Sequence, residues 1–363
     1  MQILGSPSRY YQGAGILERM GDILKPLANR FFVFADQTVL PIVRNRIIKS
    51  FEASRLTAVF EIFRGECSYP EVFRLKAKAE EADAQVIVGM GGGKAIDAAK
   101  ALSVKLDFPV VIVPTIAASD APCTHVAVMY DENHVKLEVL PMRLGVSFVL
   151  VDTGIVAQAP GRFLSAGMGD ALSKKFEAEA CRKSGASNLY GGRPSQTALG
   201  LGELAYTIVK KHGEEAKISA DRKEVTPALE KVVEANILLS GLAGENGGLA
   251  AAHAVYTGFT LIEEMRQSLH GELVAFGILV QLTLENRGRD FINDLIDFYR
   301  RIGLPASLGD LRLREGSIKK IERAVKKICE AGSYVHNMPF RVDERMVVEA
   351  IFEADSLSKD RKA

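Results

Sequence analysis

The sequence has no tryptophan, four cysteines, six histidines and almost no net charge. Cys67, Cys123, Cys181 and Cys329 lie far apart and form no C-x-x-C pair. That argues against a thiolate zinc site or a disulfide framework and for buried thiols in a reducing compartment. With 46 Lys and Arg against 45 Asp and Glu, there is no basic face for nucleic acid and no acidic tail. The opening MQILGSPSRYYQG lacks a basic-then-apolar signal pattern, and no run approaches the ~18 uncharged apolar residues of a membrane span. The expectation is a cytoplasmic protein whose partners include neither nucleic acid nor a membrane. Repeats and low-complexity segments are also absent. At 363 residues the chain exceeds the ~250–300 at which a single core stops growing, so two domains are expected.

Glycine is plentiful, and four of the five residues 89–93 are glycine. They follow the β-branched run Val86-Ile87-Val88 and precede the small-residue stretch Ala95-Ile96-Asp97-Ala98-Ala99-Lys100. That order reads as strand, tight turn and helix. Unpaired N–H groups and the macrodipole at a helix start make such a turn a phosphate cradle. The spacing is neither the Walker pattern nor a full G-x-G-x-x-G, so the motif alone equally fits a sharp connection.

Around this turn the chain alternates. Strands are expected at 31–36, 58–63, 85–88, 108–114 and 147–152, with helices at 40–51, 71–82 and after the glycines. A hairpin is expected at 126–130 and 135–139, turning at 131–133. Strands alternating with helices imply a parallel sheet covered on both faces, with ligands at the carboxyl ends, where Asp36, Gly89 and Thr115 fall. Beyond Thr153 the pattern is helical, at 161–182, 196–212, 228–243, 249–264, 273–288, 290–302, 317–331 and 343–356. The expected domains are an α/β domain over 1–160 and an all-helical domain over 161–363, with a charged tail from 358 that frays.

Polar residues stand out against this frame. Asp36 ends an early strand, where a carboxylate can bind an adenosine ribose and repel a 2′-phosphate, or simply cap a turn. Residues 114–124 form a loop of small and hydroxylated residues containing Asp120. Asp170 follows two glycines in a small-residue stretch, His253 lies among alanines with no obvious polar partner, and His270 precedes an apolar helix. Singly each reads as a core or capping residue. Together, one carboxylate and two imidazoles from three helices form a divalent transition-metal site with a position open for substrate. His125 could face the same cleft. His134 falls in the hairpin turn, His212 at a helix end, and His336 has no evident role.

Several blocks now carry a resemblance: Gly91-Gly92-Gly93-Lys94 with Asp97, Pro114-Thr115 leading to Ser119-Asp120-Ala121-Pro122-Cys123, Gly169-Asp170-Ala171-Leu172, Val225-Thr226-Pro227-Ala228-Leu229-Glu230, Gly247-Gly248-Leu249-Ala250-Ala251-Ala252-His253-Ala254 and His270-Gly271-Glu272-Leu273-Val274-Ala275-Phe276-Gly277. In this order, over nearly the whole length, they resemble the glycerol dehydrogenase family of the iron-containing alcohol dehydrogenase superfamily. The resemblance implies the dehydroquinate synthase-like fold, a parallel-sheet NAD-binding domain followed by a helical metal-binding domain, and assembly into a homo-octamer. It implies one metal on Asp170, His253 and His270, zinc ahead of iron although this donor set suits both. The pyrophosphate is expected on Gly93, Lys94, Ala95, Ile96 and Asp97, with Gly91 and Gly92 in the turn, and the adenosine ribose on Asp36. Further cofactor contacts are implied for Thr115, Ile116, Ala117, Ala118, Thr124, Val126 and Tyr130. Asp120, His253 and His270 are expected at the polyol.

The implied activity is reversible NAD-linked oxidation of a secondary hydroxyl of a small polyol, glycerol to dihydroxyacetone first. Three departures sit on the cleft walls. Tyr256 stands where relatives commonly have a second histidine, His125 where they have alanine, and Leu172-Ser173-Lys174-Lys175-Phe176 where Ala-Thr-Trp is usual. They keep open another vicinal diol, a hydroxycarboxylate, an amino alcohol or a cyclitol, with Lys174 or His125 meeting a charged group. His125 or Tyr256 could also relay the proton. A non-catalytic NAD-binding regulator is the alternative of a different class.

Overall fold

The computed structural model describes residues 1–131, 136–314 and 316–360. Most of the expected hairpin turn, with His134, and the last three residues of the tail lie outside them. In the first half, strands and helices alternate as β1 (Arg9–Gly13), α1 (Met20–Leu24), β2 (Arg30–Asp36), α2 (Val39–Ala53), β3 (Thr57–Phe63), α3 (Tyr69–Glu81), β4 (Val86–Gly91), α4 (Gly93–Leu106) and β5 (Val110–Pro114). The ribbon β6 (Val126–Tyr130) and β7 (Lys136–Pro141) follows, and then β8 (Phe148–Asp152). Six strands form one sheet in the order β1-β8-β5-β4-β2-β3, and every pairing is parallel. β6 and β7 pair antiparallel beside it.

Apolar residues on successive strand positions face opposite sides. Phe32, Phe34, Ile87 and Ile112 pack with Val72, Leu75 and Leu102 of α3 and α4. Phe31, Val33, Val88 and Val111 pack with Val43, Ile47 and Phe51 of α2. This two-sided burial explains why the central strands are continuous apolar runs. The chain passes outward from β2 to β3, then returns across β2 to β4. The crevice beyond the carboxyl ends of β2 and β4 is therefore the switch point where open α/β sheets bind ligands. β1 is a strand the sequence pattern does not announce, because RYYQG lies half-buried at the sheet edge and carries no apolar alternation.

The second half is helical: α5 (Thr153–Gln158), α6 (Gly161–Ser184), α7 (Gln196–Arg222), α8 (Pro227–Glu234), α9 (Ser240–Gly247), α10 (Ala251–Phe259), α11 (His270–Leu284), α12 (Arg289–Ile302), α13 (Ile318–Ile328) and α14 (Glu344–Asp360). Several helices differ from expectation, among them α7, which runs on to Arg222 where the pattern ends it at 212. The span 228–243 is interrupted by a π-helical turn at Ala235–Leu239 and continues to Gly247. The span 249–264 stops at Phe259, and 273–288 begins earlier, at His270. Of the tail expected to fray, 358–360 continue α14, with Ser358 buried. Among the described residues no helix is long and apolar enough to cross a membrane. The cysteines are free thiols, three buried and Cys329 half-buried.

α6 and α11 cross at backbone contact. A Cβ on Gly271 would lie 1.8 Å from the carbonyl oxygen of Ala166, and one on Gly169 would lie 2.3 Å from the carbonyl oxygen of Gly271. The crossing sets Asp170 of α6 beside His270 at the start of α11.

Candidate metal centre and nucleotide crevice

Asp170, His253 and His270 converge, with one donor atom from each lying within 4.8 Å of the others. Asp170 Oδ1 is 3.5 Å from Nε2 of His253 and 3.5 Å from Nε2 of His270. A tetrahedral ion with bonds of about 2.0–2.1 Å holds its donors about 3.4 Å apart, so these residues fit a divalent metal. Asp170 is fully buried, and His270 is the most open of the three, with 30% of its side chain exposed. The aromatic edge of Tyr256 covers His270, at 4.3 Å between ring centres.

His253 does have a polar partner. Its Nδ1 lies 2.6 Å from Glu177 Oε2, while Glu177 Oε1 accepts from the backbone N–H groups of Ala250 and His253. A proton held on Nδ1 leaves the Nε2 lone pair for a metal, the usual second-layer device of metal-binding histidines. Burial opposes the charged ring but Glu177 favours it more, raising the metal-free imidazole to about 9, so that a metal would have to displace the Nε2 proton. Asp170, Lys174 and Glu177 lie on one face of α6, at the i, i+4, i+7 spacing of a helix. That periodicity is the signal by which Lys174 and Glu177 were findable as site residues. Lys174 does not wait for a substrate's charge: its Nζ lies 2.6 Å from Asp170 Oδ1 and 3.0 Å from Asp120 Oδ2. Asp120 is anchored from both ends, since its N–H also donates to Asp170 Oδ2 at 3.3 Å.

The crevice between β2 and β4 lies on the same side. Gly91 has φ of +142° and can turn there because it carries no side chain; a Cβ would meet Ala95 Cβ at 3.0 Å and Asp36 Oδ2 at 3.8 Å. Gly92 caps α4 without a side-chain bond, leaving the N–H groups of Gly93, Lys94 and Ala95 for an anion. Asp36 Oδ1 caps the following turn through Thr38 and Val39, while Oδ2 is the oxygen beside Gly91. Thr115 is held by its N–H on the Gly91 carbonyl, and Ile116 packs over Gly92. Ala117 is tethered through its carbonyl to Asn236, beside Ala118 in the same loop. Lys94 pairs with Glu66 at 2.7 Å and stands over the Tyr130 ring. Tyr256 feels the carboxylates of both Asp170 and Asp97, and Tyr130 feels Tyr256 and Asp97. Burial, then Asp170 and Asp97, push Tyr256 up to about 12.

Lys100 is a residue the sequence reading missed. It is fully buried, and its ammonium donates to the carbonyls of Ala121 and Val126 and to Thr124 Oγ1. The loop bearing Thr124 and Val126 is thereby pinned to α4; a charge within Ala98-Ala99-Lys100-Ala101-Leu102 was its signal. Asn236, on the π turn, joins Ala117 O to Leu164 O. His125 is engaged elsewhere, with Nδ1 2.5 Å from Glu245 Oε1 and its ring stacked on Tyr190. His336 sits against the carbonyls of Cys329 and Glu330 at the end of α13.

A parallel sheet with a nucleotide-type switch point and an Asp/His/His cluster in the helical half is an arrangement suited to a nucleotide- and metal-dependent enzyme. Residues 7–153 match the iron-containing alcohol dehydrogenase family. The chain is 44% identical over 354 residues to a glycerol dehydrogenase of Escherichia coli O6:H1, covering 98% of this chain and 96% of the relative. The solved glycerol dehydrogenase of Schizosaccharomyces pombe superposes with a TM-score of 0.96 at 34% identity, covering 99% of this chain and 92% of that one. A probable glycerol dehydrogenase from Sinorhizobium meliloti 1021 gives 0.93 at 38% identity, covering 99% and 100%. The chain belongs to the glycerol dehydrogenase family of the iron-containing alcohol dehydrogenases, and it is an enzyme of that type.

Proposed function

We propose that this enzyme transfers hydride between NAD and a secondary hydroxyl of a small polyol, with glycerol and dihydroxyacetone as the first pair to test. The convergence of Asp170 Oδ1 with the two Nε2 atoms carries the reading. Asp170, His253 and His270 would hold one divalent metal with a position left for substrate, zinc ahead of iron by family resemblance. When bound, such an ion polarises a hydroxyl oxygen and lowers its pKa, and NAD accepts the hydride.

The chain's own residues do the rest. Glu177 keeps the proton of His253 on Nδ1, and Asp120 offers a carboxylate oxygen to a second substrate hydroxyl. Tyr256 walls the cleft against His270. The first N–H groups of α4 bind the pyrophosphate, with Gly91, Gly92, Lys94, Ile96 and Asp97 shaping that turn. Asp36 Oδ2 meets a ribose hydroxyl and repels a 2′-phosphate. Thr115, Ile116, Ala117, Ala118, Thr124, Val126 and Tyr130 line the remainder of the cofactor groove. In this reading, residues 1–160 are the cofactor domain and 161–363 the metal domain of a cytoplasmic homo-oligomer, an octamer by family resemblance.

The test is His253→Ala. Metal content and glycerol oxidation should collapse, turnover by about a thousandfold, matching the several kcal/mol a Lewis-acid ion contributes. NAD affinity, read by fluorescence titration, should stay within a few-fold. A variant that keeps its activity after chelator treatment sinks the metal reading.

A further inference from the structure

Lys174 lies among three carboxylates, those of buried Asp170 and Glu177 and of partly exposed Asp120. Its side chain is 1% exposed, and Nζ lies 2.6 Å from Asp170 Oδ1, 3.0 Å from Asp120 Oδ2 and 3.4 Å from His253 Nε2. Glu177 follows one turn along α6, with its own side chain fully buried. Nζ sits within 3.0 Å of carboxylate oxygens on both Asp120 and Asp170, an ammonium ion-paired on two sides. The ammonium therefore stays charged. Its hydrogens answer the oxygen of Asp170 and approach the nitrogen of His253, two of the three atoms that also suit a metal.

We propose that Lys174 is a resident counter-cation of the cluster, competing with the divalent metal for the carboxylate of Asp170. This rests on the metal reading above and goes beyond it. Two consequences of opposite sign follow. Without metal, Lys174 neutralises Asp170 and Asp120, so the stripped protein keeps a folded, preformed site; a buried carboxylate left unpaired would destabilise it. With metal, an ammonium and a dication share one carboxylate in a site shielded from water, and their repulsion weakens metal binding. The chain accordingly holds its metal less tightly, and releases it faster, than the same chain with a neutral side chain at 174.

Lys174→Met keeps the length of the side chain and removes its charge. Zinc affinity, measured on chelator-stripped protein by competition with a chromophoric chelator, should rise in the variant by about ten- to a hundredfold, the scale on which outer-layer partners move metal affinity. Zinc release from loaded protein should slow by a similar factor. The melting temperature of the stripped variant should fall several degrees below that of stripped wild type and recover when zinc is added. If the stripped variant does not fold, variant protein purified with zinc still gives the release rate, and that arm decides. Equal or weaker zinc retention in the variant overturns the inference alone. Zinc binding by neither protein overturns the metal reading and the inference with it.

Discussion

Asp97 lies near the start of α4 and is 8% exposed, with Lys100 Nζ 3.7 Å from its carboxylate. Burial raises its pKa from 3.8 to about 6, against the opposing pull of Lys100 and a hydrogen bond from the Val128 N–H. A carboxyl raised in the fold binds more protons folded than unfolded between those values. Stability therefore falls as pH rises from about 4 to about 6, by about 3 kcal/mol, and is level above. Asp97→Asn removes that slope. Urea unfolding of both proteins from pH 4 to 7 should show the variant gaining on wild type up to about pH 6; a difference independent of pH would contradict it. At this scale, the convergence of Asp170, His253 and His270 was legible only from the three taken together. Glu177 was harder to read as the partner of His253, because the two are 76 positions apart and only folding brings them together.

The crossing of α6 and α11 decides whether the metal ligands meet. Gly271 has no room for a side chain against Ala166, whereas a Cβ on Gly288 meets nothing within 4 Å. Gly271→Ala must push the helices apart, at about 1–3 kcal/mol for an overpacked contact and more where backbone must move. His270 moves with α11. Thermal unfolding and zinc titration should therefore both weaken for Gly271→Ala, while Gly288→Ala leaves both unchanged. Normal zinc affinity in Gly271→Ala would mean that the crossing does not position the site. α11 also shows why helix limits were misread. Nearly all of it is buried, so no polar stripe marks its start, and an amphipathic pattern has no purchase.

Across the whole molecule, the two halves are joined where the site lies. Asn236 ties the loop after β5 to α6, Gln12 of β1 bonds Glu230 of α8, and Asp120 bonds Asp170. A dinucleotide seated in the β2/β4 crevice binds only the folded chain. At a hundredfold excess over its Kd, NAD⁺ should stabilise the protein by about 2.7 kcal/mol. NADP⁺ at equal concentration should do so far less, because Asp36 Oδ2 repels a 2′-phosphate. Scanning fluorimetry with both cofactors checks this, and equal stabilisation would reduce Asp36 to a turn residue.

What the sequence determined by itself was local: strand and helix periods, the glycine turn, and the residues chemically able to bind a metal. Those signals are carried by neighbours within a few positions, and hydrophobic periodicity reports them directly. Tertiary structure alone decided that RYYQG closes the sheet edge, that His125 turns to Glu245, and that Lys174 lies between Asp120 and Asp170. Each of those outcomes depends on groups brought together by packing from distant parts of the chain, where no local pattern records the partner.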